Sequence, residues 1–205
     1  MARSADSFNR SKSRYKPQPT VLVICEDSKS GKRYLEDASR HFRADVEVAH
    51  CGKTDPRGIV AEALTRQGKF DRIFCAIDRD THETFEEALR LAKTSNKLTV
   101  ITSWPCFEFW LLLHFGYNRK PYTAVGKGSA ADQLVSDLRT RPNMQDYDKG
   151  AAKSIFELLL DKLPIARKES PRVLSEAIGL DDMNPSTLMH ELLDFFETLS
   201  QPQPK

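Results

Sequence analysis

Short apolar runs separated by stretches of helical periodicity set the rhythm of the first half of the chain. Thr20 to Cys25 (TVLVIC) and Ile73 to Ile77 (IFCAI) have the length and composition of buried strands. Asp45 to Cys51 (DVEVAHC) alternates at period two and predicts a further strand, and Lys97 to Thr102 (KLTVIT) predicts a fourth. Between them, Tyr34, Leu35, Ala38, His41 and Phe42 recur at helical spacing and predict a helix over 29–42, with Ser28 placed to cap it. Asp55-Pro56 predicts a helix start, Asp at the cap and Pro in the first turn, running to Gln67. Phe85, Ala88, Leu89 and Ala92 predict another helix, from Thr81 or His82 to Ala92. This alternation predicts an α/β fold, a mostly parallel, Rossmann-like sheet with helices on both faces.

Cys106 to Phe115 (CFEFWLLLHF) is apolar on nearly all sides and predicts a buried helix. After Gly116 the character changes. Tyr117 to Ser129 reads as a polar loop, and the remainder is helical in pattern: Ala130 to Leu138, Ala151 to Leu163, Arg172 to Ala177, and Asn184-Pro185 opening a helix to Leu199. No strand signal follows Gly116. The expected division is an arm over 1–19, an α/β core over 20–118, a helical region over 119–200 packed on that core, and a tail over 201–205.

Composition changes this picture little. At 205 residues, 40% hydrophobic and 29% charged, the chain has the make-up of an ordinary globular protein. Lys and Arg number 31 against 29 Asp and Glu, so no global charge announces a polyanion partner. Basic character is local: Arg3, Arg10, Lys12, Arg14 and Lys16 stand against Asp6 in the arm, which reads as a solvated tail or a source of phosphate contacts. Cys25, Cys51, Cys75 and Cys106 form no CxxC and read as reduced thiols rather than a zinc site. No apolar run reaches membrane-spanning length and no signal-peptide core is present, so the expected location is cytoplasmic, without membrane contact.

The candidate chemistry lies at strand ends. The Ile73–Ile77 run stops at Asp78-Arg79-Asp80, and alternation along a strand turns Asp78 and Asp80 to one side. TVLVIC stops at Glu26-Asp27 in the same way. In an open α/β sheet ligands bind outside the carboxyl ends of strands. Glu26, Asp78 and Asp80 converging there form an all-oxygen set suited to Mg²⁺, or to Mn²⁺, and hence to phosphoryl transfer or phosphodiester cleavage. The plainer alternative has one Asp capping the next helix and the other solvated. Glu108, inside an apolar helix, must be paired, protonated or ligating: either it bonds a neighbouring backbone group or Lys, or it is a further acid of the same site. A receiver-like module would use Glu26-Asp27 with Asp78 as phospho-acceptor, but the chain offers no fifth strand ending in Lys-Pro. Ser28 to Lys32 is only loosely similar to a P-loop, and no GxSxG or Cys–His motif is present.

Glu26 after a hydrophobic strand, Asp78-Arg79-Asp80, Ser103-x-Pro105-Cys106-Phe107-Glu108-x-Trp110-Leu-Leu-Leu-His114-Phe115, Tyr147-x-Lys149 and Asn184-Pro185-Ser-Thr187 together resemble the RloB family, from Thr20 to Leu199. The block Phe107 to Phe115 is its most specific part. The resemblance implies a Toprim-like fold with a C-terminal helical region, and a metal-dependent nuclease linked to restriction and abortive-infection loci, working with an AAA- or ABC-type ATPase. It implies Glu26 in acid–base chemistry or metal binding, Asp78 and Asp80 on Mg²⁺, and Glu108 as an extra catalytic acid. The expected substrate is RNA, tRNA among the candidates, or DNA, with Arg79, Arg119, Lys149 and Lys153 as its expected contacts; an oligomer is left open. The rival expectation is a non-catalytic metal-binding or receiver-like signalling subunit. Two positions depart from the family pattern: Trp104, where Asn is common, and Asp27, where a small residue is usual.

Overall fold

Five strands form one sheet in the computed structural model, which describes residues 17–79, 82–150 and 154–201. β1 (Val21–Cys25), β2 (Val46–Ala49), β3 (Arg72–Asp78) and β4 (Leu98–Trp104) run parallel in the order β2-β1-β3-β4. Every residue of β1 is buried, as a continuous apolar run demands of a strand covered on both faces. Leu22, Ile24, Ile73, Cys75 and Ile77 point to one side, under α2 (Pro56–Arg66) and α3 (Phe85–Ala92). Val21, Val23, Cys25, Phe74 and Ile101 point to the other, under α1 (Ser30–His41) and the helices that follow β4. The cap expected of Asp55 is present: its carboxylate accepts the Gly58 N–H at 2.7 Å, with Pro56 in the first turn.

The second face carries the larger core. α4 (Glu108–Leu113) is buried along its whole length, and α5 (Ala130–Leu138), α6 (Ile155–Leu159), α7 (Leu163–Gly179) and α8 (Met189–Ser200) close over it. The helical region from 119 onward therefore shares one hydrophobic cluster with the sheet.

Three expectations for this half are corrected. The helix expected over 151–163 is α6 followed by a 3₁₀ turn at Leu160–Lys162, and residues 151–153 lie outside the described residues. The helix expected over 172–177 is the middle of the much longer α7, which runs through Pro171. Its buried stripe, Leu163, Ala166, Ser170, Val173 and Ala177, keeps helical spacing across the proline, but small and polar members hide it in the sequence. Ser170 is satisfied there by bonding Thr187 O at 3.1 Å and His190 Nδ1 at 2.8 Å. Finally, the helix expected from Asn184 starts at Met189, and ahead of it lies a strand where none was expected. This β5 (Ser186–Thr187) runs antiparallel to the end of β4, Ser103 opposite Thr187 and Trp104 opposite Ser186, and the Leu188 N–H donates to Thr102 O at 2.9 Å. Pairing with an otherwise open edge outweighs local helical pattern, and two residues are too few to leave a periodic signal.

The arm's residues 1–16 lie outside the described residues. Where the chain enters, the Gln18 amide donates to Leu199 O, and the Thr20 N–H and hydroxyl donate to Asp71 at 2.9 and 3.0 Å. The four cysteines are free, and burial pushes the Cys75 thiol up to about 12. Among the described residues no helix is long and apolar enough to cross a membrane.

His114, just past α4, is fully buried. Its Nδ1 donates to Trp110 O at 3.0 Å and its Nε2 lies 3.4 Å from the Tyr34 hydroxyl, an arrangement that suits the neutral ring. Burial lowers its pKa to about 4. The unfolded chain protonates this ring near 6.5, so its share of stability is present above that pH and is lost as pH falls through the window toward 4. The expected loss from pH 7 to pH 5 is about 2 kcal/mol. Urea titrations at the two pH values check it: His114→Gln should flatten the difference by that amount.

Candidate active site

The order of strands reverses between β1 and β3: β2 lies to one side of that pair and β4 to the other. At such a switch point the connections leave in opposite directions and open a crevice beyond the carboxyl ends of the strands. Glu26 and Asp78 sit at this point. The Glu26 N–H donates to Ala76 O at 3.0 Å, extending the ladder one residue beyond β1. The Asp78 N–H in turn donates to Glu26 Oε2 at 2.8 Å, so the backbone of one acid orients the carboxylate of the other. Glu26 Oε1 lies 3.6 Å from His82 Nε2.

Asp27 is engaged differently. Ser28, the expected cap of α1, is exposed, and Asp27 does the capping: Oδ1 accepts from the Lys29 and Ser30 N–H groups at 2.6 and 2.7 Å, Oδ2 from the Gly31 N–H at 2.9 Å. A side chain on residue 31 would place its Cβ 2.9 Å from Oδ2, so glycine there permits the close approach. The charge at the unusual Asp27 position is thus turned to the N–H groups that open α1. Asp27→Ala should cost about 1 kcal/mol through loss of the cap, read as a fall in Tm of roughly 2–4 °C.

Glu108 completes the group. It is fully buried. Its Oε1 accepts from Lys149 Nζ at 3.0 Å and from the Tyr147 hydroxyl at 2.9 Å, with Ser30 Oγ at 3.4 Å. Its Oε2 is buried without a hydrogen-bond partner among the described residues. A carboxylate oxygen in that condition costs free energy unless a cation or donor reaches it.

The acids press on one another. Burial, then the charges of Glu108 and Glu26, push the Asp78 carboxyl well above its ordinary value; Lys149 pulls it back. Burial works against charge on Lys149, yet the acids around it, Glu108 foremost, raise its pKa. Cys106 is pushed up by burial and by the same two carboxylates, Glu108 and Asp78.

A crevice of about 20 Å³ lies among Glu26, Asp27 and Asp78, bounded below by Ile101 and Phe107. That is room for one water-sized particle. Among the described residues no three acid, His or Cys side chains already stand in a coordinating group. The donor chemistry nevertheless suits a hard divalent cation: oxygen donors only, mutual repulsion that raises Asp78, and an unsatisfied oxygen on Glu108. Glu26 and Asp78, which line the crevice, and Glu108 Oε2 are the groups that would hold it. Asp80, expected to be a ligand, lies outside the described residues.

The structure brings Glu26, Asp78, Glu108 and Lys149 to one place and gives Arg79 and Arg119 other partners. The Arg79 guanidinium lies over the rings of Phe85 (4.5 Å) and Trp104 (5.1 Å), 3.8 Å from Glu86. Arg119 donates to the carbonyls of Pro185 and Asp182 at 2.6 and 3.1 Å. Lys153 lies outside the described residues. Sequence reasoning missed His82, Ser30 and the capping role of Asp27. Asp27 alone carried a signal, an acid within the turn that opens a helix.

The family model described as RloB-like protein matches residues 21–196, most of the chain. No curated protein and no solved structure matches it.

Proposed function

The chain belongs to the RloB-like family, and from that premise we propose that it hydrolyses phosphodiester bonds of nucleic acid with Mg²⁺ or Mn²⁺, through a Toprim-like core. The observation that carries this reading is the set of carboxylates at the switch point, Glu26 and Asp78 beside a buried Glu108 with one unsatisfied oxygen. A divalent cation, when bound, neutralises charge on the phosphate and lowers the pKa of its water. The chain's own residues supply the rest. Glu26, held by the Asp78 N–H, takes a proton from the attacking water or returns one to the leaving oxygen. Tyr147 and Lys149 fix the Glu108 carboxylate through Oε1 and leave Oε2 without a partner among the described residues. The buried side chains of Phe107 and Ile101 line one side of the crevice and keep bulk water from it there.

The substrate of this reading is RNA, tRNA included, or DNA, and the setting is bacterial anti-phage defence beside an AAA- or ABC-type ATPase in the cytoplasm. The receiver-like alternative loses ground because a two-residue antiparallel β5 stands where that module needs a parallel strand. Purified protein, alone and with its ATPase partner, is incubated with plasmid, single-stranded DNA and tRNA in Mg²⁺, Mn²⁺ or EDTA. The expected result is metal-dependent cleavage that both Glu26→Gln and Asp78→Asn abolish. Cleavage by the two variants at the wild-type rate would sink the mechanism.

A further inference from the structure

Ser30, Tyr147 and Lys149 each have a second environment. Besides approaching Glu108, they line a cleft of about 440 Å³ between α1 and residues 147–149 and 154–157. The volume falls within the ~300–1,000 Å³ of small-ligand sites. Its inner wall is apolar, built from Phe107, Leu111 and Ile155. Its rim carries Lys29, Arg33, Arg40 and Lys149. Those cations are balanced by Glu36, Asp37, Asp148 and Glu157. Glu36 pairs with Lys32, and Asp37 with Arg40 and Ser154.

That balance argues against a backbone groove. A surface that tracks phosphates is a strip of one sign. A recess with an apolar wall and both charges at its lip matches a flat heterocycle with a polar edge, whose amines meet carboxylates while its phosphate turns toward a lysine. Lys149 links the two places, since its ammonium is 3.0 Å from Glu108 and lines the cleft.

We propose that this cleft holds one unpaired nucleotide next to the scissile phosphate, so that the substrate is single-stranded nucleic acid. The inference rests on the nuclease reading of the adjoining acids. A base within a duplex reaches such a recess only by leaving its stack, a cost that is least when the base is already unpaired. Loops and free ends, whose bases splay outward, meet the requirement without it.

The first arm of the test needs no turnover. Wild-type protein in EDTA is titrated with the four nucleoside 5′-monophosphates by calorimetry. At least one is expected to bind saturably, with a dissociation constant below about 1 mM, and at least ~10-fold more weakly to Ile155→Trp, which fills the cleft. Arg33→Ala, which keeps the wall and removes a rim cation, should weaken binding as well and serves if the tryptophan variant does not fold. In the second arm, with Mg²⁺, wild type is expected to cut an oligonucleotide alone and to spare it once annealed to its complement. Absence of saturation with all of the monophosphates, or equal cleavage of the annealed strand, overturns the proposal. Binding in EDTA without cleavage of any oligonucleotide, by the protein alone or with the ATPase partner, supports the nucleotide site and overturns the nuclease reading instead.

Discussion

Asp78→Asn is expected to raise the metal-free Tm while lowering metal-dependent cleavage by at least ~100-fold. Both effects follow from the crowding at the end of β3. Burial and the charges of Glu108 and Glu26 hold the Asp78 carboxyl well above its ordinary value. The folded chain therefore keeps a proton at this site over a pH range in which the unfolded chain has released it. Stability from this residue is largest in acid and declines as pH rises above about 4, until the raised folded value is passed. Asparagine removes the charge and keeps the shape, so the penalty disappears at neutral pH, with a gain in Tm of roughly 2–4 °C per kcal/mol recovered. A bound divalent cation offsets the same penalty in wild type, so Mg²⁺ should raise the wild-type Tm and leave the variant unmoved. Melting curves with and without Mg²⁺, at pH 5 and pH 7.5, read all of this. A variant that melts lower than wild type in EDTA would show that Asp78 contributes to stability rather than detracting from it.

Lys149→Met is expected to destabilise the protein by about 3 kcal/mol, the low end for a buried pair that loses one member. Glu108 has no exposure of its own, and Lys149 is the one cation within ion-pair distance of it among the described residues. The lysine head is partly in water, with 44% of its side chain exposed, so its own desolvation is modest and the loss falls mainly on the glutamate. Methionine retains the stem and leaves the Glu108 carboxylate with the Tyr147 and Ser30 hydroxyls. Combining Lys149→Met with Glu108→Gln should recover most of the loss, because the uncompensated charge is gone. Denaturant titration of the four proteins gives the coupling directly. A loss below about 1 kcal/mol in the single variant would mean that the Glu108–Lys149 pair contributes no more than an exposed one.

How far the residues announce this arrangement depends on whether its cause is local. β1 and β3 were legible because strands covered on both faces leave uninterrupted apolar runs, and Asp55-Pro56 because capping is settled within one turn. Glu26 and Asp78 were legible for the same reason: each is the first acid after such a run. α4 stood out because a helix buried on all sides has an unusual composition. What escaped detection depends on distant partners. The stripe of α7 passes through Ser170, whose acceptability rests on Thr187 and His190. β5 exists only because β4 offers an edge. Lys149 and Tyr147 read as surface and core until they meet Glu108, 39 residues before Tyr147.

β5 also bears on when this molecule can take shape. The Ser103–Thr187 hydroxyl contact joins residues 84 apart, and α8 packs against β4 from still later in the chain. During synthesis, every strand that carries an acid leaves the ribosome long before the segment that closes the sheet. That pairing waits until Thr187 has been made, and such a non-local contact is slow to close. A product ending ahead of residue 186 keeps Glu26, Asp78 and Glu108 but lacks the strand and helix that finish the core around them. The acidic centre is therefore enclosed only once β5 and α8 have been made.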